Sequence, residues 1–260
     1  MDLKSDLLRI VNYRQLDNGS VEVERLVGTA FLISDEGLFM TAAHVLKQAI
    51  ANEASHGRFV GIVGKDANGT HVARLSHHEF APNGQDVAVG LSAYKHKTWY
   101  RISGAKYDVW QRVASCGFPE DAISVTDNKI RQPLRAYKGI IQRVIAKDCL
   151  ALMPKSKGYE LSFSPSPGVS GAPLFIYRGE YGEVAGVCVG SFRSEQVVDE
   201  ITEIDDNGDR YTEKRVRITQ YGLAESLDEL FDWKPDFLHG ASLAEVTTNI
   251  LATSGSSKPE

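Results

Sequence analysis

Residues 164–173 read SPSPGVSGAP, with three prolines, three serines and two glycines in ten positions. Such a composition suits a linker, or a loop that holds one serine in a strained, exposed place. The flanking residues decide between the two. PLFIY (residues 173–177) has the pattern of a buried strand and would anchor the loop. Gly168, lacking a side chain, lets its backbone N–H approach a substrate closely. The N–H groups of Gly168 and Ser170 can then point at one spot as an oxyanion hole. Gly171 and Ala172 leave room around the Ser170 hydroxyl. The other serine-nucleophile signature, G-x-S-x-G, fails here. Ala172 stands at its last position, the residues after it are strand-like, and the required alternation of strands and helices is missing.

A serine hydroxyl is a weak nucleophile and needs a base. Of the seven histidines, His56, His71, His96 and His239 sit in polar surroundings and are expected to face solvent. His77 and His78 are adjacent and point oppositely on a strand. His44 differs, because it closes the apolar run FMTAAHVL beside small residues. An imidazole base in turn needs a carboxylate to fix its tautomer. Asp86, which opens the apolar stretch DVAVGL, is the candidate.

The rest of the chain is a series of short β-type runs separated by Gly, Asn, Asp or Pro. They include VEVERLVGTAFLI (21–33), LFMTA, RFVGIVG, HVARLSHH, DVAVGLSA, RVASCGF, AISVTD, GIIQRVIA, EVAGVCVGSF and RVRITQYG. Many short strands with frequent turn signals indicate an all-β sandwich or barrel. The run at 21–33 begins with alternation and ends continuously apolar, as in a strand that becomes buried on both faces. Helical spacing appears at residues 3–11, at AHVLKQAIA, and in LAESLDELFDWK and ASLAEVTTNILA near the C-terminus. A change of character near 98–110 divides the chain. The expected organisation is an N-terminal extension (1–20), a first β-barrel (21–105), a second (106–222), C-terminal helices packing on the second barrel (223–252), and a disordered tail (253–260).

Composition narrows the function classes. At 260 residues and 42% hydrophobic, the chain can bury a sizeable core. A net charge of -5 without basic clusters argues against nucleic-acid binding. The three cysteines, Cys116, Cys149 and Cys188, are widely spaced and read as reduced core thiols, with no metal site and no cofactor expected. Asp2, Lys4, Asp6 and Arg9 break any secretory apolar run at the N-terminus. No apolar stretch reaches membrane-spanning length, so no membrane partner is expected and the cytoplasm is the expected compartment. The charged segment EIDDNGDRYTEKRVRI (203–218) has Lys214 where a calcium loop needs its bidentate acid. It reads instead as an exposed β-hairpin with an Asn207-Gly208 turn, whose charges are available to a partner.

TAAHV, DVAV and GVSGAP, in that order, resemble the chymotrypsin-like (trypsin-fold) serine peptidases, in the bacterial and HtrA-like branch without disulfides. The order His, Asp, Ser separates this group from subtilisins and α/β-hydrolases. The resemblance covers residues 21–235 and extends to VASCGFP as the first strand of the second barrel and to GEVAGVCVGSF as the strand pair of the substrate cleft. It implies two six-stranded antiparallel β-barrels with the active site between them. It also implies roles: Ser170 as nucleophile, His44 as general base and acid, Asp86 as its orienting carboxylate, and the N–H groups of Gly168 and Ser170 as the oxyanion hole.

Three departures from the family pattern bear on function. The residue before the nucleophile is Val169, which cannot pair with a new N-terminus as the acidic residue of secreted trypsins does. N-terminal insertion is therefore not the expected switch, and control by loop ordering or by a regulatory protein partner is. Six residues before the nucleophile stands Ser164, uncharged, where trypsins place an aspartate. With Val189, Gly190 and Ser191 as the opposite wall, the primary pocket is expected to be neutral. No PDZ-like extension is expected after the barrels. The expected function is a serine endopeptidase acting on protein or peptide substrates, and the alternative is a catalytically silent binding module on the same fold.

Overall fold

A computed structural model of the chain describes residues 6–56, 58–66, 69–126, 129–147, 157–178, 181–204, 207–208 and 210–248. The first part contains β1 (Leu7–Gln15), β2 (Val21–Leu32), β3 (Leu38–Thr41), helix α1 (Ala43–His56), β4 (Phe59–Asp66), β5 (Gly69–Phe80) and β6 (Ala88–Ser92). These six strands close an antiparallel barrel in the order β1-β2-β3-β6-β5-β4. The second part contains β7 (Arg112–Gly117), a small separate hairpin of β8 (Ser124–Thr126) and β9 (Lys129–Arg131), then β10 (Arg135–Ile145), β11 (Gly158–Leu161), β12 (Pro173–Arg178), β13 (Tyr181–Ile204) and β14 (Arg210–Ser226). Its barrel closes as β10-β11-β14-β13-β12-β7. The all-β, double-barrel architecture expected from the strand series is what the chain adopts.

Burial follows the sequence pattern where strands enter the barrels. The outer half of β2 is exposed or half-exposed, whereas Val27 to Leu32 are buried without a break. Phe31, Phe39, Met40 and Leu46 are fully buried in a core cluster that also takes Phe118, Phe175 and Val187 from the second barrel. One apolar body therefore spans both barrels, while Val113, Ile141, Leu161, Leu174 and Cys188 form a second cluster inside the second barrel.

Two expectations fail at the ends of the chain. Residues 7–15 form a strand and not a helix, and that strand is part of the first barrel, so the barrel begins before residue 21. The segment carries apolar side chains on both faces, with Leu7, Leu8, Ile10, Val11 and Tyr13 all buried. With both faces apolar, the segment shows no polar/apolar alternation, which is why it mimics helical spacing. The bulges in its pairing with β2 place the extra residues, Val27 and Glu24, on β2. At the other end, LAESLDELFDWK is no helix. Leu223 to Ser226 finish β14, paired to both β11 and β13, and turns come next. A helix α2 (Leu243–Thr248) does form in the last candidate segment. This C-terminal segment leaves the second barrel at Leu227, whose N–H donates to Ala185 O. It then crosses to the first barrel, where Phe237 stacks on His77 and the Asp236 N–H donates to Glu79 Oε2 at 2.7 Å. It does not pack on the second barrel alone. Residues 249–252, the tail at 253–260 and Cys149 lie outside the described residues.

The charged segment at 203–218 is a hairpin arm. β13 and β14 stay paired to Ile204↔Arg210, far beyond the barrel wall, and Gly208 at the tip has φ 86°. Among the described residues, no helix is long and apolar enough to cross a membrane.

Candidate active site

The His44 position is set by the junction of β3 and α1. β3 pairs with β6 through Thr41↔Ala88, which brings the residues just before Ala88 against the start of α1. The first turn of a helix has N–H groups without internal partners and a partial positive charge, and a carboxylate satisfies both. Asp86 does so from outside the helix. Its Oδ1 accepts the His44 backbone N–H at 2.8 Å, and its backbone O accepts the Ala43 N–H at 3.2 Å. Its Oδ2 lies 2.6 Å from His44 Nδ1. A carboxylate oxygen only accepts, so Nδ1 carries the proton, and in the neutral ring Nε2 keeps its lone pair. The His44 side chain is 45% exposed, so this lone pair belongs to a ring that solvent reaches.

Ser170 lies in the loop between β11 and β12, and the loop is held by backbone and apolar contacts. Gly168 and Gly171 have φ of 89° and 90°, in the left-handed region. A Cβ on Gly171 would come within 2.0 Å of Thr29 O, 2.3 Å of Thr41 Oγ1 and 3.1 Å of Ala42 N. The loop thus rests directly on Thr29 of β2 and Thr41 of β3, just before the helix that carries His44. Val169 is fully buried in the cluster of the second barrel. Burial of an apolar side chain, not an ion pair, fixes the residue before the serine. The N–H groups of Val169, Gly171 and Ala172 donate to Ser166 O, Cys188 O and Val169 O. Those of Gly168 and Ser170 donate to no backbone acceptor among the described residues. The Ser170 hydroxyl donates to Val189 O at 3.4 Å and not to His44. Val189 sits at a β-bulge between Cys188 and Gly190, where β13 changes register against β14.

Of the four expected pocket residues, Ser191 and Gly190 pair beside Gly222, and the neighbours of Ser164 close on the same glycine. Ser191 pairs with Gly222 and Gly190 with Leu223. A Cβ on Gly222 would lie 2.4 Å from Phe163 O and 2.8 Å from Pro165 Cδ, the neighbours of Ser164. A Cβ on Gly190 would meet nothing within 4 Å.

Several residues at the site carry no sequence signal. Thr29 of β2 is fully buried and ties the two barrels together. Its hydroxyl donates to Gly168 O at 2.9 Å and accepts the Phe118 N–H at 3.1 Å, and its backbone N–H donates to Ser170 O at 2.9 Å. Arg9 of β1 donates to Gln132 O at 2.8 Å, and Gln132 Nε2 donates to Phe118 O at 2.9 Å. The Arg9 guanidinium lies 3.7 Å from the centroid of the Phe118 ring, and burial lowers its pKa to about 10. The stretch expected to be an N-terminal extension is therefore tied to the second barrel through Gln132 and Phe118. Cys188 lies beneath that loop. Burial pushes its thiol, and that of Cys116, up to about 12, so both stay protonated and unreactive near neutral pH. Both are free thiols. His96, expected to face solvent, instead bonds the buried Asp6 at 2.9 Å.

A family model of a trypsin-like peptidase domain matches residues 28–187, more than half of the chain. The chain belongs to the trypsin-like peptidases. The fold of this trypsin-like peptidase is similar to that of neuropsin, a serine protease expressed in the limbic system of mouse brain. They share 11% identity at a TM-score of 0.57, over 89% of this chain and 93% of that one. It is similar to the active form of a protease from M. tuberculosis, with 18% identity and a TM-score of 0.52, over 99% and 84% of the two chains. It is also similar to the HtrA-type protease AlgW with a decapeptide, with 15% identity and a TM-score of 0.53, over 86% of this chain. The chain spans only 61% of the length of that HtrA-type protease. At these identities the likeness is one of fold. No curated protein matches the chain by sequence.

Proposed function

We propose that this trypsin-like peptidase is an active serine endopeptidase, with His44, Asp86 and Ser170 as its catalytic residues. The observation that carries this reading is the His44–Asp86 pair at 2.6 Å, with the Ser170 loop seated against Thr29 of β2 and Thr41 of β3, just before the helix that carries His44. In this mechanism Ser170 Oγ bonds to the carbonyl carbon of the scissile peptide while His44 Nε2 takes the hydroxyl proton. Asp86 balances the charge that forms on the ring. The carbonyl oxygen, now an oxyanion, accepts the N–H groups of Gly168 and Ser170. The C–N bond breaks, and the amine leaves with the proton from His44. Water then hydrolyses the acyl-enzyme by the same route. A pocket bounded by Ser164, Val189, Gly190 and Ser191 carries no charge, which favours an uncharged side chain before the cleaved bond.

Gating is the finer part of the proposal. Two observations support it: the Ser170 hydroxyl is engaged by Val189 O, and the arm of β13 and β14 begins on that same strand. The arm exposes Val197, Ile201, Ile204 and Ile218, with Ile204 71% exposed, and apolar groups on a free two-stranded ribbon suit a regulatory protein partner. Replacing residues 194–219 by Asn-Gly closes the Arg193↔Gln220 pair as a two-residue turn. A gated enzyme changes its labelling rate on losing the arm, and equal rates in both forms overturn gating through this element.

The main test is labelling with a fluorophosphonate. Wild type is expected to label, and Ser170→Ala and His44→Ala are expected not to. A wild type that labels no more than Ser170→Ala, with candidate partners added, is the silent binding module instead. Cleavage of a peptide library then reports the pocket preference and separates an endopeptidase from an esterase.

A further inference from the structure

The pairing of β14 buries a carboxyl group where its barrel neighbours are apolar. Glu225 lies opposite Val187 on one side and Gly158 on the other, and it is 2% exposed. Burying a carboxyl group is costly unless it makes hydrogen bonds. One of its bonds reaches out of the second barrel altogether. Glu225 Oε1 accepts the backbone N–H of Asp86 at 3.2 Å, across 139 residues of sequence. Asp86 is thus held from two directions. Its carboxylate is held by His44 from the first barrel, and its own N–H is held by Glu225 from the second.

We infer that Glu225 is a positioning residue that clamps Asp86, and through it the His44 ring, in register with the barrel that carries Ser170. The inference rests on the reading of His44, Asp86 and Ser170 as the catalytic set. Its physical basis is geometric. The segment before Asp86 is a tight turn, with the Gln85 N–H on Pro82 O and the Ala81 N–H on Val87 O. Those bonds fix the turn within the first barrel. They do not fix Asp86 relative to Ser170. Thr29 anchors the nucleophile loop to the first barrel, and Glu225 anchors the carboxylate to the second. Rate depends steeply on the placement of reacting groups, because a misplacement of about 1 Å lowers it by about a hundredfold.

Two variants of similar size separate positioning from packing. Glu225→Gln keeps a side-chain oxygen that accepts the Asp86 N–H, and Glu225→Met removes it. With a peptide substrate, Glu225→Met is expected to lose about a hundredfold in kcat with KM within about twofold of wild type. Glu225→Gln is expected to stay within about threefold. Wild-type kcat in Glu225→Met, a loss confined to KM, or an equal loss in Glu225→Gln overturns the inference. The low-field proton resonance of His44 Nδ1–H supplies a readout that needs no turnover. It is expected in wild type and Glu225→Gln and expected to vanish in Glu225→Met. Its persistence in all three overturns the clamp even if the chain cleaves nothing, so this failure is distinct from failure of the peptidase reading. Should Glu225→Met not fold, amide exchange at Asp86 in the wild-type chain decides. Protection by about a hundredfold or more upholds the bond to Glu225, and exchange at the rate of an open loop overturns it.

Discussion

The two halves of the site are held by different forces. On the first barrel, His44 and Asp86 are fixed by charge-assisted hydrogen bonds around a helix N-terminus, in a setting that is 45% and 32% exposed. On the second barrel, Ser170 is fixed by two left-handed glycines, a fully buried valine and backbone bonds, with the ion-paired Arg135 reaching the loop only at Ser166 Oγ among the described residues. The polar half draws on neighbouring strands of the first barrel and on one bond from Glu225 of the second. The Ser170 loop takes its inter-barrel bonds from Thr29, which reaches Gly168 and Ser170 from the first barrel. Polar contacts therefore place His44 and Asp86, whereas close packing places Ser170.

This contrast can be broken from either side. The largest effect is expected from Asp86→Asn, which leaves the shape intact but favours the wrong tautomer of His44. A fall of about ten thousandfold in kcat is expected, with little change in thermal unfolding. A fall of less than tenfold in a peptide assay would remove Asp86 from the mechanism. Gly171→Ala attacks the packed half. Its methyl would sit 2.0 Å from Thr29 O at a φ of 90°, so a loss of about 3 kcal/mol and roughly 10 °C in melting temperature is expected. A variant that melts with wild type would show that the two barrels are not in close contact there. Thr29→Val leaves Gly168 O and the Phe118 N–H without their partner. A cost of about 2 kcal/mol in urea unfolding is expected, together with slower labelling of Ser170. Unchanged stability and labelling would discard the threonine staple. The smallest effect is expected from thiol reagents. With both thiols pushed up to about 12, Cys116 and Cys188 are expected to stay unalkylated at pH 8 in the folded chain. Peptide mapping that finds either one modified would show that the packed half opens.

Legibility in the sequence differs along the same divide. His44, Asp86 and Ser170 stand in short local patterns, read as a strand end, a strand start and a glycine-flanked turn. In the fold His44 lies in the first turn of α1, Asp86 two residues before β6 and Ser170 in the loop between β11 and β12. The first strand does not show itself, because residues 7–13 carry apolar side chains on both faces and no two-residue alternation marks them. LAESLDELFDWK misleads for the opposite reason. Its helical spacing is real, but Leu223 to Ser226 gain two strand partners that the local sequence does not contain. His96 looks like a solvent residue in sequence because its partner, Asp6, lies 90 positions away.

By itself, the sequence determined that this is a β-rich chain with a serine nucleophile motif, a histidine and an aspartate in peptidase order, and no charge at the base of its expected pocket. Those features depend on residue type and nearest neighbours. Tertiary structure alone decided that β1 belongs to the barrel, that Thr29 supports the serine loop, that Arg9 reaches Gln132 and Phe118, and that Glu225 reaches Asp86. Each of these is a contact between segments far apart in sequence. Barrel closure and the shared core set those distances, and no local pattern encodes them.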